Sequence, residues 1–425
     1  MDEHRHPADE NVEEKIERDS LQRSTEKLPR PALDLPPSEP ESWPYFEPDE
    51  VEAAAAVLRS GRVNTWTGDQ TGLFEEELAD YCGVRYGIAV SNGTVALELA
   101  LHVIDLQPGD EVVVPARSFF ATAACVVRMG GVPIFADVHR DTQDLDVQTI
   151  EPCLTNRTKA VICVHLAGHP CDMEPLLELC RNRGLRLIED CAQAHGARYD
   201  ERPVGSFGDM GCFSFCQDKI ITTGGEGGMV VTNSGELWER AWSFKDHGKS
   251  YRKVFRDDHP PGFRWCHESF GTNFRLTEMQ SAIGRRQLMK LESWIETRRR
   301  NAKTVHERLA NHPLLRFPFE ASWARHAFYK LYAFVRPERL APDWSRDRLV
   351  EEINSRGIPC ISGSCPEIYR EKAFAGKPYI PQERLSVARE LGDTSLMIQV
   401  HPTLSVSTLQ ERAAVIRELC DYAVI

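Results

Sequence analysis

"CFSFCQDKIITTGGEGGM", Cys212–Met229, sets an apolar run, one lysine and a glycine-rich turn side by side. The run before the lysine reads as a buried strand. The glycines at 224, 225, 227 and 228 permit close backbone approach and unusual dihedrals. Lysine is seldom placed between two such elements for packing. A partly desolvated lysine has a lowered pKa, and its neutral amine can form a Schiff base with an aldehyde. A solvated surface lysine is the ordinary alternative at any single position. The stretch is not a nucleotide phosphate loop, because G-x-x-x-x-G-K-[ST] is missing.

On either side of Lys219 the texture alternates. "YGIAV", "DEVVVPA", "VPIFADV", "TKAVICVHLAG", "LRLIED", "GCFSFCQ" and "EGGMVVTN" read as strands, with helical stretches such as "VALELALHVI" and "MEPLLELCRNRG" between several of them. Continuous apolar runs indicate strands covered on both faces. The expectation is an α/β fold with a mostly parallel, seven-stranded sheet between helices. After "TEMQSAIGRRQLMKLESWIETRRRNAKTVHERLANH" the pattern shifts to a smaller α+β region. The expected division is a disordered, proline-containing tail at 1–40, a large domain at 41–290 and a small domain at 291–425.

Composition bounds the function. The chain has 425 residues and a net charge of −13, which argues against a nucleic-acid binder. No apolar run is long enough for a membrane span, and the start lacks a signal-peptide core. The 13 cysteines are scattered and often lie in apolar runs, as expected of reduced core cysteines in the cytoplasm. No paired spacing suggests a metal site.

Four segments then belong together. "SNGTVALELAL" (91–101) turns from a strand into a helix start, where unpaired amides attract an anion; Ser91 or Asn92 as a plain cap is the alternative. "PARSFFATA" (115–123) puts Phe119 after a strand end, a position suited to stacking on a planar ligand or to the core. "LRLIEDCAQAHGA" (185–197) ends a strand in Asp190, with Gln193 and a structural His195 following. The fourth holds Lys219. A phosphate cradle, a stacking face, an acid for a pyridine nitrogen and a Schiff-base lysine are what pyridoxal 5′-phosphate requires. The G-x-G-x-x-G dinucleotide fingerprint is missing after the first strand, which disfavours a nicotinamide oxidoreductase.

The order and spacing of these motifs resemble the DegT/DnrJ/EryC1/StrS aminotransferases, a sugar-modifying branch of fold-type I pyridoxal phosphate enzymes. The resemblance runs from about Trp43 to the C-terminus. It implies that Gly93, Thr94 and Ser214 hold the phosphate, Phe119 covers the ring, Asp190 faces the pyridine nitrogen and Gln193 the oxygen side. Lys219 would carry the cofactor covalently. "GTNFRLTEMQSAIGRRQL" (271–288) is similar to the segment that reaches a neighbouring subunit, implying a homodimer in which Asn273, with Arg275, contacts the partner's phosphate. "HLAGHPCDM" (165–173) also fits, with Asp172 expected as a helix cap.

The implied activity is transfer of an amino group from an amino acid, L-glutamate, to a keto sugar in amino-sugar or surface-polysaccharide synthesis. A sugar dehydratase or a non-catalytic regulator on the same fold are the alternatives; the dehydratases replace the lysine with histidine. "GIPCISGSCPEIYREKAF" (357–374) departs from the family's "PLH" stretch and is similar to members acting on eight-carbon acidic sugars.

Overall fold

Seven strands follow the expected runs closely: β1 (Tyr86–Val90), β2 (Glu111–Pro115), β3 (Val132–Ala136), β4 (Thr158–Val164), β5 (Arg186–Asp190), β6 (Met210–Ser214) and β7 (Gly228–Thr232). They form one sheet in the order β1-β7-β6-β5-β4-β2-β3. β7 is antiparallel to both neighbours and every other pairing is parallel. The carboxyl ends of the first six strands therefore share one edge, joined there by the start of β7. Ligands of open α/β sheets bind at such an edge.

The computed structural model describes residues 41–259, 261–318 and 321–425. The tail expected at 1–40 lies outside them. Residues Glu41–Ile425 make one compact unit. β2, β6 and β7 are buried at every position, which is why their sequences run apolar without alternation. Helices α1 (Pro48–Ser60), α2 (Gln70–Cys82), α3 (Gly93–Val103), α4 (Ala121–Arg128), α5 (Met173–Arg183) and α6 (Gly235–Lys245) surround the sheet or join its strands.

Helix α7 (Glu278–Leu309) has 32 residues and a Thr277–Gln280 capping box. At 1.5 Å per residue it is about 48 Å long. Its N-terminal part, as far as Ile295, buries Leu291 and Ile295 with α2 and β7, and its C-terminal part buries Ala302, Val305 and Leu309 in a separate core. One uninterrupted helix thus crosses position 290. The second core covers an antiparallel sheet of β8 (Leu315–Arg316), β9 (Leu331–Val335), β10 (Cys360–Ile361) and β11 (Ser395–Ile398), in the order β8-β9-β11-β10.

Candidate active site

The phosphate segment is built at the end of β1. Asn92 is extended, and its side chain accepts the Val95 amide at 2.9 Å while its carbonyl accepts the Ala96 amide at 3.1 Å. Asn92 is therefore the cap. The Gly93 and Thr94 amides, at the first two helical positions, have no partner inside the helix and stand at its positive end. A Cβ on Gly93 would lie 2.5 Å from Ser214 Cβ, and one on Gly228 would lie 2.4 Å from the Asn92 carbonyl oxygen. Glycine at both places lets α3, β6 and β7 converge, and it sets the Ser214 hydroxyl beside the two free amides.

The loop after β2 divides its phenylalanines. Phe120 packs inward on Phe374, with ring centroids 5.7 Å apart, whereas Phe119 stays 65% exposed. The Phe119 carbonyl accepts the Thr122 amide at 3.1 Å, and Thr122 Oγ1 donates to Asp190 Oδ2 at 2.9 Å. This turn ties the aromatic face to the carboxylate. The second Asp190 oxygen accepts, among the described residues, the Ala192 amide alone, at 3.2 Å. Asp190 is buried, and burial raises its pKa; the bonds from Thr122 and Ala192 and the charge of Lys219 oppose that shift without cancelling it. A buried carboxylate so poorly compensated favours a cationic partner.

Gln193 follows in a turn, not in a helix. Its Oε1 accepts the Ala167 amide at 2.9 Å, which fixes the amide orientation and leaves Nε2 to donate to an oxygen. His195 packs between Phe213 and Phe215, and neither ring nitrogen is hydrogen-bonded among the described residues. Burial, aided by the Lys219 charge, lowers its pKa to about 3, so it is a neutral structural ring.

Lys219 is half-buried. Its carbonyl accepts Trp43 Nε1 at 2.9 Å and its own amide donates to the Cys216 carbonyl at 3.0 Å. Its Nζ lies 5.0 Å from the centroid of the Tyr329 ring. Tyr329 in turn donates its hydroxyl to Asp218. Lys330 stands on the same ring, 4.7 Å from the centroid, and burial lowers its pKa. Trp43, Thr122 and Ala167 had no roles in the motif reading, because each meets its partner through the fold and not through local sequence.

Gly93, Thr94, Ser214, Asp190, Gln193, Phe119 and Lys219 are thus placed along one sheet edge. Asn273 and Arg275 flank Phe274, whose carbonyl accepts the Ser91 amide at 2.9 Å beside the phosphate turn, and Arg275 bridges to Val90. Asn273 is exposed and bridges to Asp246, and Arg275 NH1 donates to Asp246 Oδ1 at 2.9 Å. Asp172 stands at the start of α5 but does not cap it; it accepts the Tyr199 hydroxyl at 2.9 Å. All 13 cysteines are free thiols. His165, Glu189 and Cys191 bring ligand atoms within 4.8 Å of one another, yet both Glu189 oxygens already accept backbone amides.

The donor set fits pyridoxal 5′-phosphate: free helix amides and a hydroxyl for phosphate, an undercompensated carboxylate for a protonated nitrogen, an amide donor, an exposed ring and a lysine. The sequence signature of the DegT/DnrJ/EryC1/StrS aminotransferase family matches residues 44–417. The chain belongs to this family. GDP-perosamine synthase of Escherichia coli O157:H7 is 38% identical over 85% of this chain and 94% of its own. A dTDP-3-amino-3,4,6-trideoxy-alpha-D-glucose transaminase of Streptomyces venezuelae is 35% identical over 84% of this chain and 88% of its own. The crystal structure of an aminotransferase from Psychrobacter cryohalolentis superposes with a TM-score of 0.89 at 47% identity, covering 90% of this chain and 99% of that one. The fold is that of fold-type I enzymes, and the chain is a pyridoxal phosphate-dependent aminotransferase. Among the described residues no helix is long and apolar enough to cross a membrane.

Proposed function

We propose that this aminotransferase moves the amino group of L-glutamate onto the keto carbon of a nucleotide-linked sugar. The carrying observation is the convergence of Lys219, Asp190 and the Gly93–Ser214 cradle, in a family whose similar members are named for GDP- and dTDP-linked amino sugars. When bound, the cofactor supplies an electron sink for the carbon that carries the amine. The Gly93 and Thr94 amides and the Ser214 hydroxyl hold its phosphate. Asp190 keeps the ring nitrogen protonated, Gln193 Nε2 donates to the ring oxygen, and Phe119 covers one face. Lys219 Nζ takes the α-proton of the donor amino acid and delivers a proton to the former keto carbon of the sugar.

An eight-carbon acidic sugar is the second reading, and it rests on the likeness of the 357–374 stretch to members acting on such sugars together with where that stretch lies. The atypical 357–374 stretch is bonded to the Phe119 loop: Ser118 N donates to the Cys365 carbonyl at 3.2 Å and Ile368 N to the Ala116 carbonyl at 2.8 Å. The changed residues therefore sit beside the stacking face. A panel of nucleotide-linked keto sugars and acidic keto sugars, each offered with L-glutamate, L-glutamine or L-alanine, decides by the mass of the aminated product. Amination of an acidic sugar alone selects the second reading, and no aminated sugar from any pair rejects both.

Two copies are proposed to share their sites. Phe263, Trp265 and Phe270 are 80%, 85% and 100% exposed, in the stretch that leads to the exposed Asn273. Mixed dimers of Lys219→Ala and Asn273→Ala chains should regain activity that neither homodimer has. Failure to regain it removes the shared-site assignment.

A further inference from the structure

A second cavity of about 740 Å³ opens between the loops after β3 and β4, helix α7 and the residues entering β9. None of Phe119, Asp190, Gln193 or Lys219 lines it. Its volume falls in the range of small-molecule sites. We infer that this cavity binds a small organic anion with a ring-sized apolar body, of the class of a phosphate monoester.

Three observations carry the assignment. The lining holds an unsatisfied polar side chain: His169 is 3% exposed, its Nδ1 lies 2.7 Å from Asp144 Oδ2, and its Nε2 is buried with no partner among the described residues. The carboxylate accepts the Nδ1 proton, which leaves Nε2 an acceptor without a partner, on a residue that lines the cavity.

The second observation is backbone conformation. Gln143, Ala167 and Phe328 all line the cavity, and all are non-glycine residues in the left-handed region, at φ 71, 58 and 49. Such conformations are rare for bulky residues and gather at ligand clamps.

The third is charge and surface. Arg299, Arg300 and Lys303, on neighbouring turns of α7, line the mouth against one carboxylate, Glu296, which is already bonded to Arg325 at 2.6 Å. The chain as a whole carries −13, so the local reversal of sign is pronounced. The walls behind these cations are apolar, with Leu166, Phe317 and Leu331 among them. An anionic head at the mouth and an apolar ring inside match this layout. Ala167, which lines the cavity, also donates the hydrogen bond that holds Gln193, so the two sites share one turn of chain.

The test is calorimetric titration of phenyl phosphate into borohydride-reduced holoenzyme, whose own phosphate cradle is filled, with inorganic phosphate as the control. Phenyl phosphate should saturate at one site per chain and bind more tightly than inorganic phosphate. The Arg300→Glu, Lys303→Glu double variant should bind about tenfold or more weakly, since charge-assisted bonds contribute on that scale. Both residues are exposed, and an unchanged near-ultraviolet circular dichroism spectrum checks the fold. The single Lys303→Gln variant should show the same trend, reduced in size. No saturation in the wild type, equal affinity in the double variant, or equal binding of the two phosphates overturns the assignment.

Discussion

Glu189 and Asp190 are adjacent on β5, both are carboxylates and both are buried, at 0% and 5% exposure. Their surroundings differ sharply. Glu189 accepts the amides of Gly205, Phe207 and Gly208 at 2.7, 2.8 and 2.7 Å, and His165 Nε2 at 3.1 Å. His165 Nδ1 accepts the Cys171 amide at 3.0 Å, so its proton is on Nε2 and donates to Glu189. Burial pushes the Glu189 pKa up, but these donors outweigh it and the net shift is downward. Asp190 has two protein donors, one per oxygen, and its net shift is upward. The difference separates two uses of one chemical group. Glu189 is completed by its own chain and fastens the 205–208 turn; Asp190 is left short of positive charge, as a carboxylate meant to face a cationic ligand would be.

The largest expected effect is at the lysine opposite this pair. Lys219→Ala should lower turnover by about a thousandfold or more, as loss of a proton-transferring group does, with near-ultraviolet circular dichroism showing the fold intact. Turnover within a few-fold of wild type would remove the lysine's role. Next come the neighbours themselves. Glu189→Gln should destabilise the protein by about 3 kcal/mol in urea melts, because an amide N–H₂ then faces backbone donors. Asp190→Asn should leave the apoprotein at least as stable as wild type at neutral pH, yet lower turnover by about a hundredfold. Equal destabilisation by both substitutions would break the comparison.

The same pair should have opposite pH signatures. Asp190 has a raised pKa in the folded state, so its contribution to stability is full below the ordinary aspartate range and is lost as pH rises through the raised value. Glu189 has a lowered pKa, so its contribution is present above the ordinary glutamate range and is lost as pH falls through the lowered value. Thermal melts of the apoprotein against pH should show Asp190→Asn removing the alkaline-side loss and Glu189→Gln removing the acid-side one. Unchanged profiles would contradict the assigned environments. The smallest effect is expected at Thr122→Val, which removes one donor from Asp190 and should weaken cofactor affinity by about tenfold or less in a fluorescence titration. Full affinity would show that the hydroxyl does not position the carboxylate.

The sheet was legible because its strands are covered on both faces and therefore read as apolar runs; the stretches quoted for β1 to β7 each contain the observed strand, except that β6 begins one residue earlier, at Met210. The lysine motif and the Gly93 turn were legible because they are local and chemically unusual. The supports of Asp190 were not, because Thr122 lies 68 positions earlier and meets it only through sheet topology. The same holds for the Ala167 amide on Gln193 and for the Trp43 bond to Lys219. Asp172 misled for a related reason: it has a cap's position and residue type, but the Tyr199 hydroxyl competes for its oxygen. Length alone did not reveal that α7 serves two cores, since its apolar positions keep one spacing throughout.

The most direct test reduces the holoenzyme with borohydride and maps the modified peptide by mass. Lys330 is a demanding internal control, because it flanks the same Tyr329 ring and burial lowers its pKa. The account predicts the cofactor-derived mass on Lys219 alone. A label on Lys330, or on no lysine at all, would contradict it.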